Sequence, residues 1–262
     1  MVESLQSGTV TYNKKCIDIQ EKETYITAYF EDEKQVTADL LIAADGIHSP
    51  IRKKLVPDSA PRYAGYTCWR GITENRNRVH AHTSSEIWST DGRFGYAPLK
   101  NGDVYWFACV KVKERDAFFK QLKRNELANL FSDFPEFVPS LIRDTNQEQI
   151  LHHDIQDIKP LRRFVYGRVV LLGDAAHATT PNMGQGAGQA IEDALVLGNA
   201  IGNMETIEHA LKHYEEQRVA RTKKVISLSR QIGWAAQISF RPLAANRDFL
   251  FPFIPSNFFY GG

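Results

Sequence analysis

The stretch from Arg168 to Gly202, RVVLLGDAAHATTPNMGQGAGQAIEDALVLGNAIG, restricts the fold more than any other part of this chain. Arg168–Leu172 is a short β-branched and leucine-rich run, the pattern of a strand buried on both faces. Gly173–Met183 reads as a turn carrying an acid, a histidine and Thr-Thr-Pro. From Gly184 the apolar or small positions Ala187, Ala190, Ile191, Ala194, Leu195, Gly198 and Ile201 recur at spacings of three and four. That spacing predicts a helix whose first turn is Gly184-Gln185-Gly186. A helix start built of small residues leaves N–H groups free and lets a ligand come close to the backbone. Asp174 falls just past the carboxyl end of the strand, where open α/β sheets bind ligands.

A second stretch, Asp39–Leu55, reads DLLIAADGIHSPIRKKL. Its continuous apolar run, Leu40–Ala44, predicts another buried parallel strand. Asp45-Gly46 ends that strand. Ser49 and Pro50 then open a short helix to Leu55, a capping serine followed by proline at the first helical position.

Together the two stretches resemble the flavin motifs of the FAD-dependent aromatic-ring monooxygenases. In one, Gly173-Asp174 follows a strand, then come Pro181 and a Gly184-Gln185-Gly186 helix start. In the other, D-G-x-x-S-x-x-R falls on Asp45, Gly46, Ser49 and Arg52. The resemblance runs from about Gly8 to about Val225, in the branch of zeaxanthin epoxidase-like, salicylate hydroxylase-like and urate hydroxylase-like enzymes. It implies FAD as cofactor, with NADH or NADPH as reductant. It puts Asp45 and Gly46 at the FAD pyrophosphate, with Arg52 supporting that turn. It puts Asp174 at the ribityl chain, Pro181 at the ring edge, and the backbone of Gly184, Gln185, Gly186 and Ala187 at the pyrimidine oxygen, with Gly173 in the preceding turn. His177, in the same loop, is expected to make a structural hydrogen bond. The family's opening βαβ unit with G-x-G-x-x-G has no counterpart in this sequence. Gly184–Gln189 is no substitute, because its sixth residue is Gln and it follows a long loop. The expectation is therefore the later portion of a monooxygenase. Without that unit's first strand, the edge of Leu40–Ala44 is left open to pairing with another chain or to aggregation.

Between these stretches, aromatic and polar residues alternate in Tyr63–Ile72, Glu86–Thr90, Phe94–Leu99 and Val104–Val112. Asp91-Gly92 and Asn101-Gly102 mark hairpin turns. This predicts an antiparallel sheet, which in the family lies on the substrate side. Tyr63, Tyr66, Trp69, Arg70, Arg93, Tyr96, Tyr105 and Trp106 are candidates to line a pocket, with alternate residues facing away. Arg93 and Tyr105 fall where urate hydroxylase-like sequences carry an Arg and a Tyr near substrate. That subgroup carries Asp where this chain has Asn182, which counts against urate itself.

The remaining segments read as scaffold. Thr9–Ile19 and Thr24–Phe30 predict strands. Residues 113–145 predict helix, broken at Pro135 and Pro139. Ile150–Ile158 predicts a strand returning to the first layer, and a long helix follows from about Thr206 to Trp234. The aromatic tail Phe249–Tyr260 is expected to dock on its own protein. His152-His153-Asp154 alternates across a strand, and His209/His213 lacks an accompanying H-E-x-x-H, so no metal site is expected. With 32 basic and 31 acidic residues the net charge is +1, which gives no purchase for nucleic acid or anionic lipid. No apolar run reaches membrane-spanning length, so no stable membrane insertion is expected. Three scattered cysteines fit reduced thiols in the cytoplasm.

The expected fold is α/β (α+β overall): an incomplete Rossmann-like FAD-binding layer, an antiparallel β substrate-binding sheet and a long C-terminal helix. The expected division is a partial FAD-binding domain (1–57 and 150–235), a substrate-binding domain (58–149) and a C-terminal tail (236–262). The expected activity is NAD(P)H- and O2-dependent hydroxylation of a small aromatic or heteroaromatic ring through a flavin hydroperoxide. The alternatives are a flavin-free interaction module, or a flavin reductase or dehydrogenase on the same fold.

Overall fold

The computed structural model describes residues 2–75, 78–80, 82–250 and 253; most of the aromatic tail lies outside them. In chain order the elements are β1 (Cys16–Glu21), β2 (Ile26–Phe30), β3 (Gln35–Ala38), β4 (Leu41–Ala43), α1 (Pro50–Leu55), β5 (Arg62–Glu74), β6 (Ser85–Trp88), β7 (Arg93–Pro98) and β8 (Asp103–Lys111). There follow α2 (Ala117–Gln121), α3 (Arg124–Leu130), α4 (Phe137–Asp144), β9 (Leu151–Asp157), β10 (Val165–Tyr166), β11 (Val169–Leu171), α5 (Asp174–His177), α6 (Gly186–Asn203), α7 (Ile207–Ala236) and α8 (Arg241–Leu250). The fold is mixed α/β, as the sequence implies. Its residues divide into two units, 1–62 with 157–228, and 63–156 with 229–262.

In the first unit β1, β2 and β3 form an antiparallel sheet, and β4 lies parallel to β11 with Val169 opposite Leu41. Both members of that parallel pair come from continuous apolar runs. Val169, Val170 and Leu171 are fully buried, together with Phe164, Ala176 and Tyr214. β11 sits between β10 and β4, so β4 is the edge strand of this sheet among the described residues, with Ile42 47% exposed. Helix α7 buries Ala210, Leu211, Tyr214, Arg218, Thr222, Val225 and Ile226, which share one face at helical spacing.

In the second unit the strand order is β6-β7-β8-β5-β9, antiparallel wherever the register is defined. Gly92 and Gly102, in the hairpin turns on either side of β7, have φ of 157° and 87°, which glycine adopts without strain. One face of the sheet presents Trp69, Phe94, Val104 and Trp106 to α3 and α4, and their side chains are at most 2% exposed. Trp106 Nε1 donates to Thr145 Oγ1 at 2.8 Å, so its one polar atom is satisfied inside the core.

The structure differs from the sequence expectation in four places. The strand expected from Thr9 begins only at Cys16. The helical region 113–145 is three short helices, and Pro139 sits in the first turn of α4, where its missing N–H costs nothing. The Ile150–Ile158 strand does not return to the first layer, because β9 closes the five-stranded sheet beside β5. On α6 the buried residues are Gln189, Asp193, Leu197 and Ala200, whereas Ile191 and Leu195 are 71% and 62% exposed.

Candidate functional site

Glycine shapes the turn after β11. Gly173 has φ 59° and ψ −138°, a conformation that L side chains avoid, and a Cβ there would lie 3.2 Å from Ala190 Cβ. Gly173 donates its N–H to Asp193 Oδ2 at 2.8 Å. That same oxygen is 2.5 Å from His177 Nε2, and the other carboxylate oxygen accepts from Arg218 Nε at 2.6 Å. Arg218 also reaches Glu192 at 2.6 Å and the Gln189 side chain at 2.8 Å. Burial alone would push the Asp193 carboxyl up. The hydrogen bonds from His177, Gly173 and Arg218 outweigh it and hold the carboxyl below its ordinary value. This network explains the rotation of α6. Asp193 must point inward to reach three donors, so the more apolar stripe faces out.

The two motif turns are tied together by Arg52. Its backbone N–H is capped by Ser49 Oγ at 2.8 Å, while its side chain is 2% exposed. The guanidinium donates to the carbonyls of Gly46 (3.4 Å), Asp174 (3.4 Å), Ala175 (3.2 Å) and Ile47, and its Nε reaches Ser59 at 3.3 Å. One side chain therefore fixes the Asp45-Gly46 turn against the Gly173-Asp174 turn. Burial lowers the Arg52 pKa, and the nearby carboxylates of Asp45 and Asp174 act against that shift.

Beside Asp174 lies a groove of about 390 Å³ lined by Asp174, Thr179, Thr180, Pro181, Gly184, Gly186, Ala187 and Ala190. The helical start is later than its glycine pattern suggests. Pro181–Met183 forms a 3-10 turn, Gly184 is left-handed at φ 65°, and α6 begins at Gly186. No side chain caps α6, so the first N–H groups of an 18-residue helix are left without a side-chain acceptor. A Cβ on Gly184 or Gly188 would meet nothing within 4 Å, so the backbone there is open to approach. Two buried polar atoms here have no partner, Thr179 Oγ1 and Gln185 Oε1. Unmet acceptors and donors beside an uncapped helix start suit a polar, partly anionic group, and a flavin ring fits that description.

In the second unit, Arg93 and Tyr105 share a face of the sheet but are not neighbours. Arg93 pairs with Cys109 in the register, four residues along β8 from Tyr105. Arg93 is 2% exposed, 3.1 Å from Glu86, and its guanidinium lies 5.2 Å from the Tyr66 ring and 5.8 Å from the Phe107 ring. It also hydrogen-bonds Cys109, which faces Cys68 across the strands. Burial pushes the Cys109 thiol up, but the bond to Cys68 and the Arg93 charge prevail and lower it. The neighbour of Tyr105 is Arg70, which reaches its hydroxyl. Of the other pocket candidates, Trp69, Tyr96 and Trp106 lie on the opposite face, and the Tyr63 hydroxyl donates to the Val112 carbonyl at 2.8 Å. His152 stacks on Trp69 at 4.7 Å. Among the described residues, no three His, Cys, Asp or Glu side chains are grouped to hold a metal, and no helix is long and apolar enough to cross a membrane.

Comparison with known proteins gives these motifs a family. Residues 4–229 match the FAD binding domain family model. The chain is 40% identical over 206 residues to aurachin C monooxygenase/isomerase of Stigmatella aurantiaca, covering 79% of this chain and 54% of that protein. It is 35% identical over 228 residues to the FAD-dependent urate hydroxylase of Klebsiella pneumoniae, covering 85% of this chain and 59% of the relative. Its structure matches Klebsiella pneumoniae HpxO complexed with FAD and uric acid, with a TM-score of 0.85 and 30% identity, covering 95% of this chain and 64% of that one. A salicylate hydroxylase substrate complex matches with a TM-score of 0.78 and 27% identity, covering 95% of this chain and 68% of that one. The chain thus spans between half and three-fifths of the length of these two curated relatives.

Proposed function

We propose that this chain, which belongs to the FAD binding domain family, is part of an FAD-dependent hydroxylase acting on a small aromatic or heteroaromatic ring. The observation that carries this reading is the groove beside Asp174, with its uncapped helix start and its two unpartnered polar atoms. FAD, reduced by NADH or NADPH, supplies the redox chemistry and the activation of O2. The protein positions it. Arg52 fixes the Asp45-Gly46 turn, which takes the pyrophosphate. Asp174 receives the ribityl hydroxyls, and Pro181 bounds the ring edge. The N–H groups from Gly184 to Ala187 face the pyrimidine oxygen, where the positive helix end favours the charge of the reduced ring by roughly 0.3–2 kcal/mol. Thr179 and Gln185 add hydrogen bonds to the same ring.

The edge of β4, unpaired among the described residues, supports self-association by strand pairing between two copies of this chain. Size exclusion with light scattering tests this, and a clean monomer at high concentration contradicts it. Three free cysteines support residence in the cytoplasm. The catalytic reading is tested by incubating the FAD-loaded protein with NADH or NADPH, O2 and a panel of small aromatic acids, phenols and N-heterocycles. Nicotinamide oxidation stimulated by one of them, with a product heavier by one oxygen, supports it. Oxidation that no ring stimulates, with peroxide as the sole product, rejects it.

A further inference from the structure

The five-stranded sheet has one face given over to core and another that carries charge. Strand alternation puts Tyr66, Cys68 and Arg70 of β5 on the charged face, with Cys109, Phe107 and Tyr105 of β8 on the same side. Two of the three cysteines meet there, because Cys68 stands directly opposite Cys109 in the register. Opposed residues of antiparallel strands hold their Cα atoms about 4.5 or about 5.5 Å apart, and both spacings fall within the roughly 4.4–6.8 Å that a disulfide bridges. Both cysteines are free thiols, 3% and 1% exposed. The two thiols hydrogen-bond each other, so the sulfurs are already in contact. A bond between them needs no movement of either strand.

The two sulfurs are not equivalent. Arg93 pairs with Cys109 from β7, bonds its sulfur and sets a guanidinium charge beside it. Burial pushes the Cys109 thiol up, but the Cys68 bond and the Arg93 charge prevail and lower it. The Cys68 thiol moves the other way, raised by its hydrogen bond to Cys109 and by burial. One sulfur is thus prepared to attack and the other keeps its proton, which is the division of roles in a two-thiol redox site. Apolar packing accounts for part of the surroundings, since Tyr66 and Ile155 enclose the pair together with Ala64 and Phe107. It does not account for a guanidinium held against one sulfur. Two thiols alone do not hold a metal, and among the described residues no third His, Cys, Asp or Glu is grouped with them.

We propose that Cys68 and Cys109 form a reversible modification site, at which hydrogen peroxide oxidises the pair to a disulfide that ties β5 to β8, with Cys109 as the attacking sulfur. The Cys109 thiolate attacks one peroxide oxygen. An S–O bond forms, the O–O bond breaks, and the hydroxide that leaves takes up the proton Cys109 released, giving water. The Cys68 sulfur then attacks the sulfenic sulfur of Cys109. The S–S bond forms, the S–O bond breaks, and the Cys68 proton leaves with the hydroxyl as a second water. The two thiols together lose two electrons, and one peroxide becomes two waters. A small uncharged oxidant suits a site this enclosed. In the disulfide Cys109 carries no charge, so Arg93 loses that partner and keeps Glu86 at 3.1 Å. A dithiol reverses the bond by exchange. The inference does not rest on the hydroxylase reading, which supplies one source of peroxide in O2 reduction that no ring stimulates.

The test uses the full chain carrying Cys16→Ser, so that the pair supplies the remaining thiols, with hydrogen peroxide added directly as the probe. Thiols are counted after denaturation, and the intact mass and tryptic peptides are taken. The expected result is two thiols before treatment and none after, in a monomer lighter by two hydrogens. A cross-link joins the peptides holding Cys68 and Cys109, and dithiothreitol restores both thiols. Survival of both thiols in excess peroxide, added oxygen without a cross-link, or a cross-link only between two chains overturns the assignment. Dimedone, which traps sulfenic acid, tests the order of attack. Cys68→Ser is expected to take the label on Cys109, whereas Cys109→Ser stays unlabelled. No label on Cys109 in the first variant, or equal labelling in both, overturns the role of Cys109. The thiol count leaves the pair intact, so it decides the site even where a variant of the pair fails to fold. FAD content and nicotinamide oxidation of the same preparation bear on the hydroxylase reading alone, so the two failures are separable.

Discussion

The turn after β11 and the charged face of the five-stranded sheet both bury arginine, and they handle it in opposite ways. Around the turn, Arg218 meets two carboxylates and an amide, and Arg52 meets four carbonyls and a hydroxyl. On the sheet face Arg93 is likewise satisfied by Glu86, but Arg70 retains a buried donor with nothing to receive it. A saturated guanidinium is a positioning device, since a ligand could gain nothing by contacting it. An unsaturated one is a binding device held in a state that a ligand improves. The same contrast operates within the first unit. Asp193 has all its contacts met by protein, whereas Thr179 and Gln185 beside the groove do not.

Substitutions can break this contrast, and the largest effect is expected at Asp193. Asp193→Ala leaves Arg218 buried without that carboxylate and removes the acceptor of Gly173 and His177. The expected loss is about 3–5 kcal/mol of stability, the cost of orphaning a buried charge, read by urea unfolding. A loss under about 1 kcal/mol would mean that the network is not a structural keystone. Next comes Gly173→Ala. The left-handed φ and the Ala190 contact predict about 1–3 kcal/mol, with a matching fall in the melting temperature. At the other extreme, Arg70→Met is expected to change stability by less than about 1 kcal/mol, because its side chain forms no ion pair among the described residues and its polar contact is to the Tyr105 hydroxyl. A large destabilisation there would move Arg70 into the class of Arg52 and Arg218.

Acid pH sharpens the same point. The Asp193 carboxyl is held below its ordinary value in the folded protein, so the ionised form is favoured by folding. Its contribution is complete above the unfolded value, about 4, and is lost as pH falls through the lower folded value. The stability difference between wild type and Asp193→Asn, from urea unfolding, should therefore shrink as the pH falls below about 4. A difference that does not shrink below about pH 4 would contradict the lowered Asp193 value.

Much of the fold was legible because it rests on local patterns. The runs Leu40–Ala44 and Arg168–Leu172 contain the parallel pair β4 and β11, and the Asp-Gly and Asn-Gly turns fall beside β7 where the hairpins need positive φ. The placement of Arg52 between the two turns shows what a motif arginine can do that its spacing alone does not reveal, since two of its four partner carbonyls, those of Asp174 and Ala175, lie more than 120 residues away. What could not be read were the choices made by distant partners. Periodicity on α6 counts apolar residues and favours the Ile191 and Leu195 side. The structure turns Asp193 inward because Arg218 lies 25 residues further on, in another helix. Arg70 stood among several pocket candidates on β5, β7 and β8. Only burial, and the pairing of Arg93 with Glu86, separates its charge from the other.

The most direct measurement is a titration of the purified chain with FAD, followed by flavin fluorescence and repeated on Thr179→Val and Asp174→Ala. The account predicts saturable binding near one FAD per chain. It also predicts weakening of about 10-fold in Thr179→Val, the worth of one hydrogen bond, and more in Asp174→Ala. Absence of binding, or binding indifferent to both substitutions, would contradict the assignment of the groove beside Asp174 to the flavin.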